Sequence, residues 1–299
     1  MALQNEQWFH HAVSENVTQL AQQKRTVVMG AVRTREGVVG KTFPFHRIGK
    51  VDMVAAVRDS DTTYANPPQS KRRAVLQDFS LAVLIDEFDE IKMLPNPQSE
   101  FAQILAYARN RKLDDLVIGV GPTALGGAIG LATVVDEPTE SATTSALPTS
   151  QVIADGGTNL TLAKVKQAKF LMDDADVDPE DRYLFYSPAG IRKLLDDTQL
   201  TSSDFNTVKA LVDGGLPPDQ TFLGFKWRMS TRLFKTGNIR SCIALQKQGV
   251  GLAVGLIKEV EIDKAVHKNN NTQVLIKLSA GAVRIDDACV VRIDIDETA

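Results

Sequence analysis

The chain has little of what catalysts and metal centres are usually built from. It holds two cysteines, Cys242 and Cys289, in 299 residues. They form no CxxC pair, which excludes the common zinc and dithiol motifs. Both lie in apolar, strand-like runs and read as buried reduced thiols, with an intersubunit disulfide as the alternative. There are four histidines, His10, His11, His46 and His267. No two have ligand spacing, and His10 and His11, adjacent on a predicted helix, point about 100° apart. No apolar run reaches membrane-spanning length, and the start MALQNEQWFHH, without lysine or arginine, is no signal peptide. A basic excess is missing as well. The formal net charge is −3, which argues against gripping nucleic acid through counterion release. No metal, cofactor or membrane partner is expected.

What is present is ordinary globular composition, 43% hydrophobic and 24% charged, in a chain long enough for one large domain or two smaller ones. Residues 5 to 24 read as an amphipathic helix with Phe9, Val13, Val17 and Leu20 at helical spacing, an arm to be docked on a larger surface. Residues 37 to 86 read as one long, detached β-hairpin. One arm is GVVGKTFPFHRIG and the other AVLQDFSLAVLIDEFDEI, with Val75, Phe79, Leu81, Val83 and Ile85 near a period of two. Between them a polar tip holds two prolines and the basic cluster Lys71, Arg72 and Arg73. A ten-residue arm spans roughly 33 Å, and a two-stranded ribbon of that length is marginal alone in water, so a second subunit is its natural support. A charged, proline-bearing tip guards such a ribbon against aggregation and offers ion-pair partners to a neighbour.

Pro97 suits the first turn of a helix running from Gln98 to about Val120, with the stripe Phe101, Ile104, Leu105, Ala108, Leu116 and Val117. Its length is roughly 33 Å, and Arg109, Arg111, Lys112, Asp114 and Asp115 offer i,i+4 pairs. Residues 131 to 158 read as a loop with short strands. Thr161 caps a helix whose positions Leu162, Val165, Phe170 and Leu171 face one way. DRYLFYS is a short buried strand, Ser187 and Pro188 start another helix, and SDFNTVKALVDGG reads as a further one. The remainder is strand-rich.

The sites that tempt a chemical reading fail on spacing. GVGPTALGGAIG follows a helix rather than a strand and lacks the GK[ST] ending of a phosphate loop. In DDADVDPED the spacing of Asp174, Asp176 and Asp178 imitates a calcium loop, but Pro179 stands where that loop needs glycine and Phe185 where it needs glutamate. Ser187 in YSPAG is no nucleophile elbow, and pairs such as Asp286–Asp287 give no basis for acid and base roles. No enzymatic activity is expected.

The order arm, extended hairpin, long helix, inserted α/β unit and closing strands resembles the major capsid protein of tailed double-stranded DNA bacteriophages, with its Hong Kong 97-like fold. The motifs NRKLDDLVIGVGPTALGG, LTLAKVKQAKFLMDDADVDPEDRYLFYSPAGIRKLL, the LVDG segment, FLGFKW and GAVRIDDACVVRIDI are similar to segments of that family, in the same order, over residues 30 to 295. The resemblance implies an α+β fold with an N-terminal arm (1–32), an extended loop (33–88, tip about 50–73) and a peripheral domain (89–140, spine helix about 98–120). An axial domain (141–240) and returning strands (241–299) complete it. It implies a structural subunit that assembles with itself into the hexamers and pentamers of an icosahedral shell around double-stranded DNA. Implied partners are a scaffolding protein, a portal protein and a decoration protein, with the virion as its place and the host cytoplasm as the site of assembly. Some relatives carry a scaffolding segment ahead of the arm. None stands there in this sequence, so a separate scaffold or a trimmed precursor is expected. The inter-subunit contact candidates are Phe9, Val13, Lys71, Arg72, Arg73 and Phe79. The hinge candidates are Gly37, Gly40, Gly126 and Gly127. A nanocompartment shell with enzyme cargo shares the fold and is the alternative; a soluble nucleotide-dependent enzyme is the reading from another class.

Overall fold

Alternating strand patterns dominate the chain, and the computed structural model is accordingly mostly sheet. It describes residues 20–55, 58–59, 61–62, 64–86, 97–119, 131–135, 142–195, 221–257 and 260–298. The first strands are β1 (Arg33–Glu36), β2 (Thr42–Ile48), β3 (Gln69–Val75) and β4 (Gln77–Ile85), followed by helix α1 (Pro97–Val117). Then come β5 (Leu131–Val135), β6 (Ala142–Ala146), β7 (Val152–Ile153), helix α2 (Leu162–Asp174), β8 (Arg182–Tyr186) and helix α3 (Pro188–Leu195). The closing strands are β9 (Thr221–Phe222), β10 (Phe225–Met229), β11 (Lys235–Thr236), β12 (Ile239–Gln246) and β13 (Val250–Ile257), then β14 (Glu261–Ala265), β15 (Asn271–Arg284) and β16 (Val290–Asp296). Two compact units result. One holds Met1–Arg25, Asp78–Arg111 and Ile257–Leu278; the other holds Thr26–Gln77, Lys112–Leu256 and Ser279–Ala299.

In the first unit β14 pairs antiparallel with β15, from Glu261↔Leu275 to Ala265↔Asn271, and β4 pairs with β15 as well. Ile85, Leu105, Val274 and Ile276 form its buried centre, with Val83, Phe101, Ala102 and Val260 packed round it. The expected helix is therefore present, with Phe101 and Leu105 facing the strands. The end of the N-terminal arm lies along it. Asn110 donates to the Lys24 carbonyl at 2.9 Å, and the Arg111 guanidinium donates to the Gln22 side chain at 2.8 Å. The last part of the helix expected over residues 5–24 is not helical: residues 20–24 run as irregular chain held by these hydrogen bonds, and residues 1–19 fall outside the described residues.

The second unit carries a seven-stranded sheet in the order β7-β16-β12-β8-β10-β9, with β11 on β12. All of β8 is buried, as the apolar run from Tyr183 to Tyr186 predicts; Arg182 at its start is buried as well, paired with Asp173. Thr161 caps α2 by accepting from the Lys164 amide, and the Ser187 hydroxyl accepts from Gly190 at the start of α3. The buried stripe of α2 differs from the expected one. Leu162, Val165, Ala168 and Met172 face inward while Phe170 is 64% exposed, because a 3.6-residue period carries it off that face. The SDFNTVKALVDGG segment falls outside the described residues.

The long hairpin forms, but with a different returning arm. β2 pairs with β3, Thr42↔Val75 through Ile48↔Gln69, so the stretch read as tip supplies the strand. β4, read as the returning arm, pairs with β15 instead. Nor is the hairpin a detached ribbon: β3 also pairs with β5, and β5 with β6, giving a four-stranded sheet. The true tip is the loop 49–68, closed where the Gly49 amide donates to the Pro68 carbonyl at 2.7 Å.

Candidate assembly surfaces

Period-two alternation gives the β2–β3 hairpin two faces. Inward lie Phe43, Phe45 and Ala74, packed with Val38, Ala253, Val283 and Ile285; the two phenylalanine rings meet edge to face at 5.0 Å. The hairpin base rests where other side chains have been omitted. A Cβ built on Gly251 would meet the Phe45 ring at 2.6 Å, one on Gly255 the Leu76 side chain at 2.6 Å, and one on Gly281 the Val75 carbonyl oxygen at 2.1 Å. These strand glycines let the hairpin base sit directly on backbone.

Arg72 stands opposite Phe45 in the register and shares its inward face. It is 3% exposed and grips Asp287 with both terminal nitrogens at 2.8 Å, while one of them also donates to the Arg284 carbonyl. Arg284, fully buried, donates to the same carboxylate and to the Ser145 and Ala146 carbonyls. Burial works against the Asp287 charge, but the hydrogen bonds and charges of Arg72 and Arg284 outweigh it and hold this carboxyl at a pKa of about 2.

The root of the N-terminal arm is clamped by side chains of α1 and β10. Asp114 is fully buried and accepts the Val27 and Val28 amides at 3.1 and 3.2 Å. Arg228 lies over the Tyr183 ring at 4.6 Å and donates to the Val27 and Met29 carbonyls. Asp115 pairs with Arg232. Asp114 and Asp115 thus hold segments distant in sequence. Asp114→Ala should cost about 2–4 kcal/mol, since it leaves the buried Val28 amide and the half-buried Val27 amide without this acceptor. Urea unfolding reads the loss, and faster amide exchange at Val27 and Val28 locates it.

The loop 49–68 is different in kind. Ile48, Val51, Met53, Val54 and Tyr64, within and beside it, lie between 48% and 101% exposed. So many exposed apolar side chains in and beside one loop make it a candidate binding surface.

A family model described as phage capsid protein matches residues 6–297. The chain belongs to this family. Solved structures of similar fold include the capsid of cyanophage P-SCSP1u, at TM-score 0.71 and 17% identity over 96% of this chain and 93% of that one. The capsid of Ralstonia phage GP4 matches at 0.69 and 10%, over 96% and 95%. A native GTA particle capsid matches at 0.71 and 11%, over 98% and 97%. A search of curated proteins found no match. This phage capsid protein is a structural subunit with a mixed α+β fold, mostly sheet with three helices among the described residues. The family match favours a phage capsid over the nanocompartment shell.

The contact candidates divide on the capsid protein's surface. Lys71 and Arg73 are half-buried, alternating with Arg72 along β3, and Phe79 is half-buried on β4. Arg72 is corrected: its guanidinium is spent inside the subunit, because the middle of three consecutive basic residues in a strand must face the other way. Phe9, Val13, Gly126 and Gly127 fall outside the described residues. Gly37 and Gly40 have φ of +69° and +114°, with open space where a Cβ would lie. The apolar tip around Met53 was missed; it lay hidden in a loop read as polar.

Proposed function

We propose that this capsid protein builds the icosahedral head of a tailed phage, in rings of five and six, with a Hong Kong 97-like fold. Its divisions are the arm 1–32, extended loop 33–88, peripheral domain 89–140, axial domain 141–240 and returning strands 241–299. The observation that carries the reading is the loop 49–68, whose apolar residues cover nothing in their own subunit to the extent their exposure shows. A neighbouring copy is its natural cover. Charge supports the same pairing: residues 41–75 hold seven Lys or Arg against three Asp, in a chain whose net charge is −3. A basic hairpin on an otherwise acidic subunit is attracted to other copies and set in register by them. Lys71 and Arg73 are its contact residues on β3, and Phe79, Phe9 and Val13 contribute apolar contacts. Gly37 and Gly40, with Gly126 and Gly127, take up the difference between rings of five and six. The shell forms in the host cytoplasm with a scaffolding protein, incorporates a portal and, where one is used, a decoration protein, and encloses double-stranded DNA. Its mild acidity suits a lining that holds DNA without binding it tightly.

The test is to replace residues 50–67 with an Asn-Gly turn, leaving β2 and β3 intact. The expected product is a folded subunit, with unchanged circular dichroism and melting within about 2–4 °C of the parent. It should give no shells by electron microscopy under conditions where the parent assembles. Normal shells from this variant would remove the loop from the assembly mechanism.

A further inference from the structure

Lys164 lies in the first turn of α2 and is 8% exposed. Its ammonium is 2.8 Å from the Asp155 and Thr158 carbonyl oxygens and 3.1 Å from those of Asn159 and Asp294. Three of these oxygens belong to one five-residue turn and the fourth to β16. Among the described residues no carboxylate pairs with it directly; the negative charges of Asp155, Asp294 and Asp296 act from further off. The turn is built to hold this shape. Gly156 and Gly157 sit at φ +52° and +63°, the Asp155 carboxylate accepts the Gly157 amide, and the Asp155 carbonyl accepts the Thr158 amide. The Thr158 carbonyl accepts the Asp296 amide as well, fastening the turn to the last strand.

Several backbone carbonyls closing on one desolvated charge is the way proteins replace the hydration shell of potassium. Neutral carbonyls without a coordinating carboxylate do not suit calcium or magnesium, which seek charged oxygens. We propose that the Asp155–Asn159 turn is a monovalent-cation site that the chain fills with its own Lys164 ammonium, and that with the side chain removed it takes a primary ammonium or potassium ion. The tether has a use in a shell. A free ion dissociates on dilution, whereas an ammonium carried on α2 keeps the turn, the helix and β16 joined in any medium.

Lys164→Ala in the full chain, with melting followed in ethylammonium, potassium and tetramethylammonium chlorides at equal ionic strength, tests this. Alanine should lower the melting temperature by on the order of 5 °C. Ethylammonium or potassium should restore it saturably. Tetramethylammonium, which is bulky and has no N–H, should not. Lys164→Met, which fills the channel of the side chain without charge, should be destabilised and unresponsive to all three. Should the alanine variant fail to fold, its refolding yield from denaturant in the three salts reads the same preference. A methionine variant as stable as the parent, or equal effects of all three salts on the alanine variant, overturns the proposal.

Discussion

Gly281→Ala is expected to leave little soluble capsid protein, because a single methyl group there has nowhere to go. A Cβ at this position would lie 2.1 Å from the Val75 carbonyl oxygen, 2.6 Å from its carbon and 3.1 Å from the Leu76 nitrogen. All three are backbone atoms. Extra methylenes in a packed core usually cost about 1–3 kcal/mol, because neighbouring side chains turn aside. Here only the hairpin base can move, and moving it pulls Phe45 and Ala74 from Val38, Ala253, Val283 and Ile285. The cost should exceed about 3 kcal/mol, a large share of the roughly 5–15 kcal/mol that holds a domain folded. Gly251→Ala meets a phenyl ring, which can shift, and should cost less. Gly237→Ala, with open space around it but φ of +60°, is the control and should lose only about 1 kcal/mol. Soluble yield and urea midpoints of the three variants rank them. A Gly281→Ala protein within about 0.5 kcal/mol of the parent would show that the hairpin base is not seated on this glycine.

The same glycines explain why much of the fold was legible and the hairpin pairing was not. Helix α1, the caps at Thr161 and Ser187, the buried strand β8 and the strands after Lys235 follow from period, capping residues and unbroken apolar runs. The alternation from Val75 to Ile85 also reads as one strand, yet the chain changes partner at Leu76. What forces the change is the seat formed by Gly255 and Gly281, some 180 and 205 residues away. A glycine inside a strand does signal close approach of another backbone, but not of which one. Arg72 was hidden in a similar way. Three adjacent basic residues look like a solvated cluster until the partner strand is known; then alternation sends the middle one inward. Its acceptor, Asp287, belonged to an acidic pair with no visible role. Asp114 and Asp115 were recognisable through the family-like KLDD motif, while their partners at Val27, Val28 and Arg232 required the fold.

Asp287→Ala should be the most damaging change away from the glycine seat. Two guanidinium groups, both nearly or wholly buried, share this one carboxylate. Without it two like charges remain inside the subunit, and removing one partner of a buried pair costs about 3–5 kcal/mol. Because Arg72 belongs to β3, and Arg284 reaches the carbonyls of Ser145 and Ala146 at the end of β6, the loss strikes the four-stranded sheet at both sides. Acid should act on the same group. The Asp287 carboxyl is lowered from 3.8 to about 2 on folding. A depressed carboxyl contributes its stability fully above its unfolded pKa and loses it as pH falls through the folded one, so the window runs from about pH 4 down to about pH 2. About 2 kcal/mol should disappear across it. Asp287→Asn, which keeps an acceptor but not the charge, should start less stable than the parent at neutral pH, and the gap should narrow by about that amount at pH 2. Parallel acid slopes for the two proteins would mean that the charge of Asp287 contributes nothing, and that the cluster holds the hairpin through its carbonyl hydrogen bonds alone.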